Sequence, residues 1–136
     1  MGLNKIGSDL VNVQTSVEMG RGVYATDKLL AGTVVMICEI LVLSELDTVK
    51  VNQTELQYYT FKYTDTQDCL VLGLGEIFNH DDASNVSYEL VMLEGRHMMV
   101  FKATKEISKD AQLFINYNAD AAVNVSSYIK NTSLVG

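Results

Sequence analysis

The stretch Glu76-Ile77-Phe78-Asn79-His80-Asp81-Asp82-Ala83-Ser84-Asn85 runs a short apolar segment straight into Asn-His and a polar cluster. Side chains able to bond a polar ligand therefore sit at a strand end. The plain alternative is an Asp/Ser/Asn-rich turn with His80 tied to backbone. Asp81 and Asp82 are adjacent rather than facing, so they do not make a paired-carboxylate acid/base site. Upstream, Cys69 to Leu74 reads as a short strand. Downstream, Val86 to Leu93 and His97 to Lys102 flank Glu94-Gly95-Arg96, a hairpin signal because Gly95 tolerates positive φ.

Further out, Leu113-Phe114-Ile115-Asn116-Tyr117-Asn118 ends a last strand in a Tyr flanked by two Asn. Leu10 to Val17 alternates weakly and reads as a first strand. Gly20-Arg21-Gly22 then breaks the chain before Val23-Tyr24-Ala25. Thr33 to Leu43 is a β-branched run of the kind found in buried strands. The helix expected is Asn52 to Tyr63: Asn52 as cap, Glu55 at the capping-box position, and Leu56, Tyr59 and Tyr63 on one face. At least six short strands and one helix make a mainly β domain, not an alternating βαβ chain.

With 136 residues, 48% hydrophobic and 20% charged, the chain is expected to form one domain with a core of its own. Ten basic residues against seventeen acidic give a net charge of −7. That sign disfavours nucleic acid as direct ligand and suits a basic protein segment. No stretch approaches 18 uninterrupted apolar residues, so no membrane span is expected. Met1 to Ile6 lacks the pattern of a signal peptide. Cys38 and Cys69 lie in apolar runs and read as buried thiols of an intracellular, soluble protein, in cytoplasm or nucleus. Two His and two Cys, scattered, offer no metal-ligand spacing. His97, heading a strand, is expected at the surface.

Gly20-Arg21-Gly22-Val23-Tyr24-Ala25 matches the G-x-G-x-x-A dinucleotide fingerprint, but a turn and a strand follow where that fold needs a long helix. What survives is that two glycines admit a close backbone approach to a ligand, or a tight turn.

Together, in this order and spacing, the Gly-x-Gly start, Phe78-Asn79-His80 with Asn85, and the strand ending in Tyr117 resemble the SET-domain protein lysine methyltransferases. The similarity runs from about Val13 to Asp120 and is greatest to minimal forms such as the viral SET proteins. The resemblance implies a β-clip-like fold of several short sheets with a C-terminal pseudoknot and one short inserted helix. It implies a cofactor, S-adenosylmethionine, left as S-adenosylhomocysteine, and held by Gly20, Arg21, Gly22, Tyr24, Asn79, His80 and Tyr117. Tyr117 would be catalytic, with Tyr59 and Tyr88 lining a lysine channel and no metal needed. The substrate would be a basic protein segment such as a histone tail; the alternative is an inactive SET-like module that docks a basic partner. The oligomeric state stays open, a homodimer included.

The chain departs from the family in three places. Asp81 and Ser84 replace residues of the usual N-H-S/C-x-x-P-N, and the usual G-E-E-L reads Asp110-Ala111-Gln112-Leu113. No Cys cluster follows Tyr117, so Ala119 to Gly136 is expected to close or flank the site in place of a zinc-bound tail.

Overall fold

The computed structural model describes residues 9–117; the expectation for Ala119 to Gly136 lies outside them. Nine strands and one α-helix follow along the described chain. They are β1 (Val11–Ser16), β2 (Gly20–Ala25), β3 (Val34–Val42), α1 (Glu45–Val51), β4 (Thr60–Lys62), β5 (Asp68–Val71), β6 (Asn79–His80), β7 (Val86–Leu93), β8 (Arg96–Ala103) and β9 (Gln112–Ile115). One sheet has the order β1-β2-β9-β6 and the other β4-β5-β3-β8-β7. The fold is mainly β, as the sequence leads one to expect.

Among the described residues the chain divides into two compact units, one of residues 9–37, 77–88 and 100–117, the other of 38–76 and 89–99. In the first unit, β1 and β2 form an antiparallel hairpin from Val11↔Ala25 to Ser16↔Gly20. The Gly-x-Gly segment is thus not a break but the start of β2. Gly20 at φ 70 turns the corner, and Arg21 and Gly22 are already paired. β9 pairs antiparallel to β2 through Val23↔Leu113 and parallel to β6 through Asn79↔Phe114 and His80↔Ile115. The two C-terminal motif segments are therefore hydrogen-bonded neighbours. Beneath them Val23, Phe78, Phe101, Leu113 and Ile115 are buried, with the Phe78 and Phe101 rings stacked at 4.7 Å. Burying such rings removes apolar area from water at about 25 cal/mol per Å².

In the second unit β5 pairs antiparallel to both β3 and β4, with Ile40↔Val71 and Phe61↔Cys69 in register. Cys38 and Cys69 are free thiols, both fully buried. The turn Glu94-Gly95 has positive φ at both residues, 51° and 77°, which matches the twist of a two-residue hairpin.

The helix lies elsewhere than Asn52 to Tyr63. Ser44 caps α1 by accepting from the Asp47 amide at 3.0 Å, and Asn52 closes its far end, its amide donating to the Thr48 carbonyl at 3.0 Å. Asn52 is thus a C-cap, and its side chain reaches the Asp68 carboxylate at 3.1 Å. Thr54 starts only a 3₁₀ turn, Glu55–Tyr59, after which the chain becomes β4. The Ser44-x-x-Asp47 spacing is an N-cap signal as good as the one at Asn52. Thr60, Phe61 and Lys62 go to the ladder because Phe61 pairs with Cys69; tertiary pairing outweighs a weak helical period.

Candidate functional site

Every motif of the Gly-x-Gly, Asn-His and terminal Tyr segments lies in the first unit, on the sheet β1-β2-β9-β6. Gly22 is buried in β2, and a Cβ there would run into the side-chain amides of Gln112 and Asn79. Only glycine lets these three strands approach so closely. The Asn79 amide donates to the carbonyl of Arg21 at 3.0 Å, tying β6 to the Gly-x-Gly backbone. Tyr24, half-buried, lies opposite Gln112 on β9.

At the end of β9, His80 takes the backbone N–H of Tyr117 on Nδ1 at 2.9 Å. That nitrogen must therefore carry its lone pair, which leaves the proton on Nε2, 3.0 Å from an Asp82 carboxylate oxygen. The His80 and Tyr117 rings stand 4.9 Å apart. The Tyr117 hydroxyl donates to the Phe78 carbonyl at 2.6 Å. With its hydrogen committed there, the phenol oxygen offers lone pairs to a ligand. Tyr88 donates to the Asn116 carbonyl at 3.4 Å, one residue before Tyr117, and its ring meets Phe101. Tyr59 belongs to the second unit, on the 3₁₀ turn, with 47% of its surface exposed.

Asn85 supplies the support. Its side chain donates to the Gln112 carbonyl at 3.0 Å and accepts from the Phe114 amide at 2.8 Å, so one residue holds one edge of β9 at two points. Asp81 is spent on the turn: its carboxylate accepts from the Ala83 amide at 2.8 Å. At the departed G-E-E-L segment, Asp110 sits at φ 68, the left-handed region that glycine enters freely. Asp is among the few side-chain-bearing residues that tolerate it, so the backbone course survives the substitution.

Gln112 is a candidate site residue that motif reading passes over. Its Nε2 is buried with no hydrogen-bond partner, beside Gly22 and Asn79. An orphaned buried donor costs about 1–3 kcal/mol. A cradle made by a missing Cβ, with such a donor at its wall, fits a ligand rich in acceptors. No sequence signal marks it, because a Gln in a strand declares nothing about its neighbours.

Elsewhere among the described residues, neither cysteine offers a nucleophile. Burial pushes the Cys38 thiol up to about 11 and Cys69 to about 12. Both stay protonated at neutral pH and inert. Glu76 accepts from the Val71 amide at 2.7 Å, and burial lifts its carboxyl to about 7. His97 is half-buried on β8 rather than at the surface. No group of three or more His, Cys, Asp or Glu among the described residues could hold a metal. No helix among them is long and apolar enough to cross a membrane.

Comparison with known proteins agrees with this geometry. The SET domain profile matches residues 20–118. A Schizosaccharomyces pombe histone-lysine N-methyltransferase, H3 lysine-37 specific, is 29% identical over 109 residues, 79% of this chain and 72% of that protein. Among solved structures, a Plasmodium falciparum protein described as a histone methyltransferase superposes with a TM-score of 0.65 at 22% identity, covering 81% of this chain and 94% of its own. A chain of the Chaetomium thermophilum Polycomb Repressive Complex 2, a humanized mutant, superposes at 0.68 with 19% identity; the match covers 82% of this chain and 15% of the other. The profile spans well over half the sequence, from the Gly-x-Gly of β2 past Tyr117, and the chain belongs to the SET-domain family.

Proposed function

We propose that this chain is a protein-lysine N-methyltransferase that takes its methyl group from S-adenosylmethionine. The observation that carries the reading is the Tyr117 hydroxyl, fixed by Phe78 just past the strand that pairs with Asn79 and His80 on one side and with Val23 and Tyr24, next to the Gly-x-Gly segment, on the other. When bound, S-adenosylmethionine supplies an electrophilic methyl group and a positive sulfonium. The residues proposed to hold it are Gly20, Arg21, Gly22, Tyr24, Asn79, His80 and Tyr117, with Gln112 now added for its orphaned donor.

A lysine nitrogen must be neutral to act as nucleophile. From a free pKa of about 10.4, neutralising it at pH 8 costs about 3.3 kcal/mol. Apolar aromatic walls and a like charge nearby both disfavour the ammonium, so no strong base is required of the chain. Tyr117 presents an acceptor oxygen that can take an amine N–H and point the nitrogen lone pair forward. Tyr88, tethered beside Tyr117 through the Asn116 carbonyl, would narrow the space around that amine. Holding the reacting groups in line accounts for much of the rate in such a reaction. The substrate proposed is a basic protein segment, a histone tail among them, in keeping with the net charge of −7 and the relative's H3 lysine specificity.

The second reading is a SET-like module without activity. The altered Asp110-Ala111 segment suggested it, and the left-handed Asp110 weakens it, since the strand that follows keeps its place. Calorimetry separates the two: an enzyme binds S-adenosylmethionine and releases S-adenosylhomocysteine after turnover, and an inactive docking module shows neither.

A further inference from the structure

We propose that Asp82 is a positioning residue for Tyr117, acting through the His80 ring. The inference rests on the catalytic reading of Tyr117 given above. Three observations carry it. The Tyr117 backbone N–H donates to His80 Nδ1 at 2.9 Å; His80 Nε2 lies 3.0 Å from the Asp82 carboxylate; and the two rings stand 4.9 Å apart. The sequence Asp82–His80–Tyr117 is thus a continuous hydrogen-bonded line ending on the backbone of the residue that bears the hydroxyl.

The chemistry of imidazole explains why the far end matters. A neutral ring has one donor nitrogen and one acceptor. Only the tautomer protonated on Nε2 can accept from Tyr117; the other would set two N–H groups face to face. A carboxylate at Nε2 selects the productive tautomer and fixes the plane of the ring, the role an orienting carboxylate plays toward a catalytic histidine. Asp82 itself is held for this by its neighbour. Asp81 pins the turn through the Ala83 amide at 2.8 Å, and its own backbone N–H donates to the Ile115 carbonyl at 3.1 Å, anchoring the turn to β9. With 87% of its side chain exposed, Asp82 adds little to stability. Its contribution is orientation.

The test uses the full chain with ring-nitrogen-labelled histidine; His80 and His97 are the two histidines of the sequence. At a pH where the rings are neutral, wild-type His80 shows one nitrogen shift of an acceptor and one of a donor. In Asp82→Ala the two shifts move toward each other as tautomers mix. Asp82→Asn, which keeps an oxygen acceptor without charge, restores the wild-type pair. Methyl transfer follows the same pattern: kcat falls about 1.5- to 5-fold in Asp82→Ala, the span of exposed side-chain pairs, and, since His80 is among the residues proposed to hold S-adenosylmethionine, affinity for it falls by no more than the same factor. Asp82→Asn recovers kcat, and Asp27→Asn, an equal loss of charge elsewhere, leaves it alone. Unchanged His80 shifts in Asp82→Ala overturn the proposal, as does a shift change with kcat intact. Loss of kcat in Asp27→Asn as well would make the effect one of overall charge and overturn it too. Absence of turnover in the wild type would instead fell the methyltransferase reading, while the nitrogen shifts still decide whether Asp82 sets the ring.

Discussion

The Tyr117 hydroxyl donates to the carbonyl of Phe78 at 2.6 Å across 39 residues of sequence. Phe78 is itself buried and stacked on Phe101, so the acceptor is held by the core. A residue with 56% of its surface exposed thereby has its side chain's one polar atom fixed to the buried core of the unit. The same carbonyl belongs to the residue before Asn79-His80, which makes the Asn-His motif and the Tyr117 hydroxyl parts of a single arrangement.

Asn85 ties that arrangement to the edge of β9. Asn85→Ala removes a donor to the Gln112 carbonyl and an acceptor for the Phe114 amide at once. Stability is expected to fall by about 1–3 kcal/mol, the cost of leaving half-buried backbone groups unpaired. Urea unfolding checks this; a midpoint equal to wild type would mean β9 does not depend on the side chain.

Gly22 and Gln112 are expected to couple. Gly22→Ala places a methyl against the Gln112 and Asn79 amides and should weaken S-adenosylmethionine binding by more than tenfold. Adding Gln112→Ala frees that space, so the double variant should bind the ligand better than Gly22→Ala alone, a non-additivity expected of residues in contact. Calorimetry on the four proteins reads the coupling. Additive losses would show that Gly22 is conserving something other than room for Gln112.

Glu76 gives the second unit a pH dependence. Burial raises its carboxyl from the ordinary 4.5 to about 7. Between those values the unfolded chain has lost the proton and the folded chain keeps it, so stability falls as pH rises from about 4.5 to about 7 and levels above. Glu76→Gln keeps an acceptor for the Val71 amide and removes the titration. Melting temperatures from pH 4.5 to 8 should decline more steeply in wild type than in this variant. Parallel curves would mean Glu76 titrates as an ordinary carboxylate.

Tyr88 is expected to set how many methyl groups are added. Its hydroxyl reaches the Asn116 carbonyl at 3.4 Å, a weak tether beside Tyr117. In Tyr88→Phe the space it occupies can take a water or a further methyl, and products should move toward higher methylation. Mass spectra of peptide products with identical mono-, di- and trimethyl shares would place Tyr88 away from the amine.

Much of the fold was legible because strands declare themselves locally. The β-branched run of β3 and the Glu94-Gly95 turn needed no tertiary information. The short strands did not: β4 is three residues long and β6 two, and each exists only because β5 or β9 lies alongside. Asn52 misled for a related reason, since an Asn can cap either end of a helix. At the proposed site, Gly22, Asn79, His80 and Tyr117 stood out as motifs. Gln112 and Asp82 did not, because what distinguishes them is a neighbour: an amide with no partner and a ring nitrogen two residues back.

In the proposed reaction Tyr117 acts on the reacting centre of a lysine methylation. Mass spectrometry of lysine residues can compare wild type with Tyr117→Phe, each incubated with S-adenosylmethionine and basic proteins that include histones. Methyl-lysine is expected in the wild type, with a loss of turnover of about a hundredfold or more in Tyr117→Phe and ligand affinity retained within several-fold. Methylation by Tyr117→Phe at the wild-type rate would contradict that role.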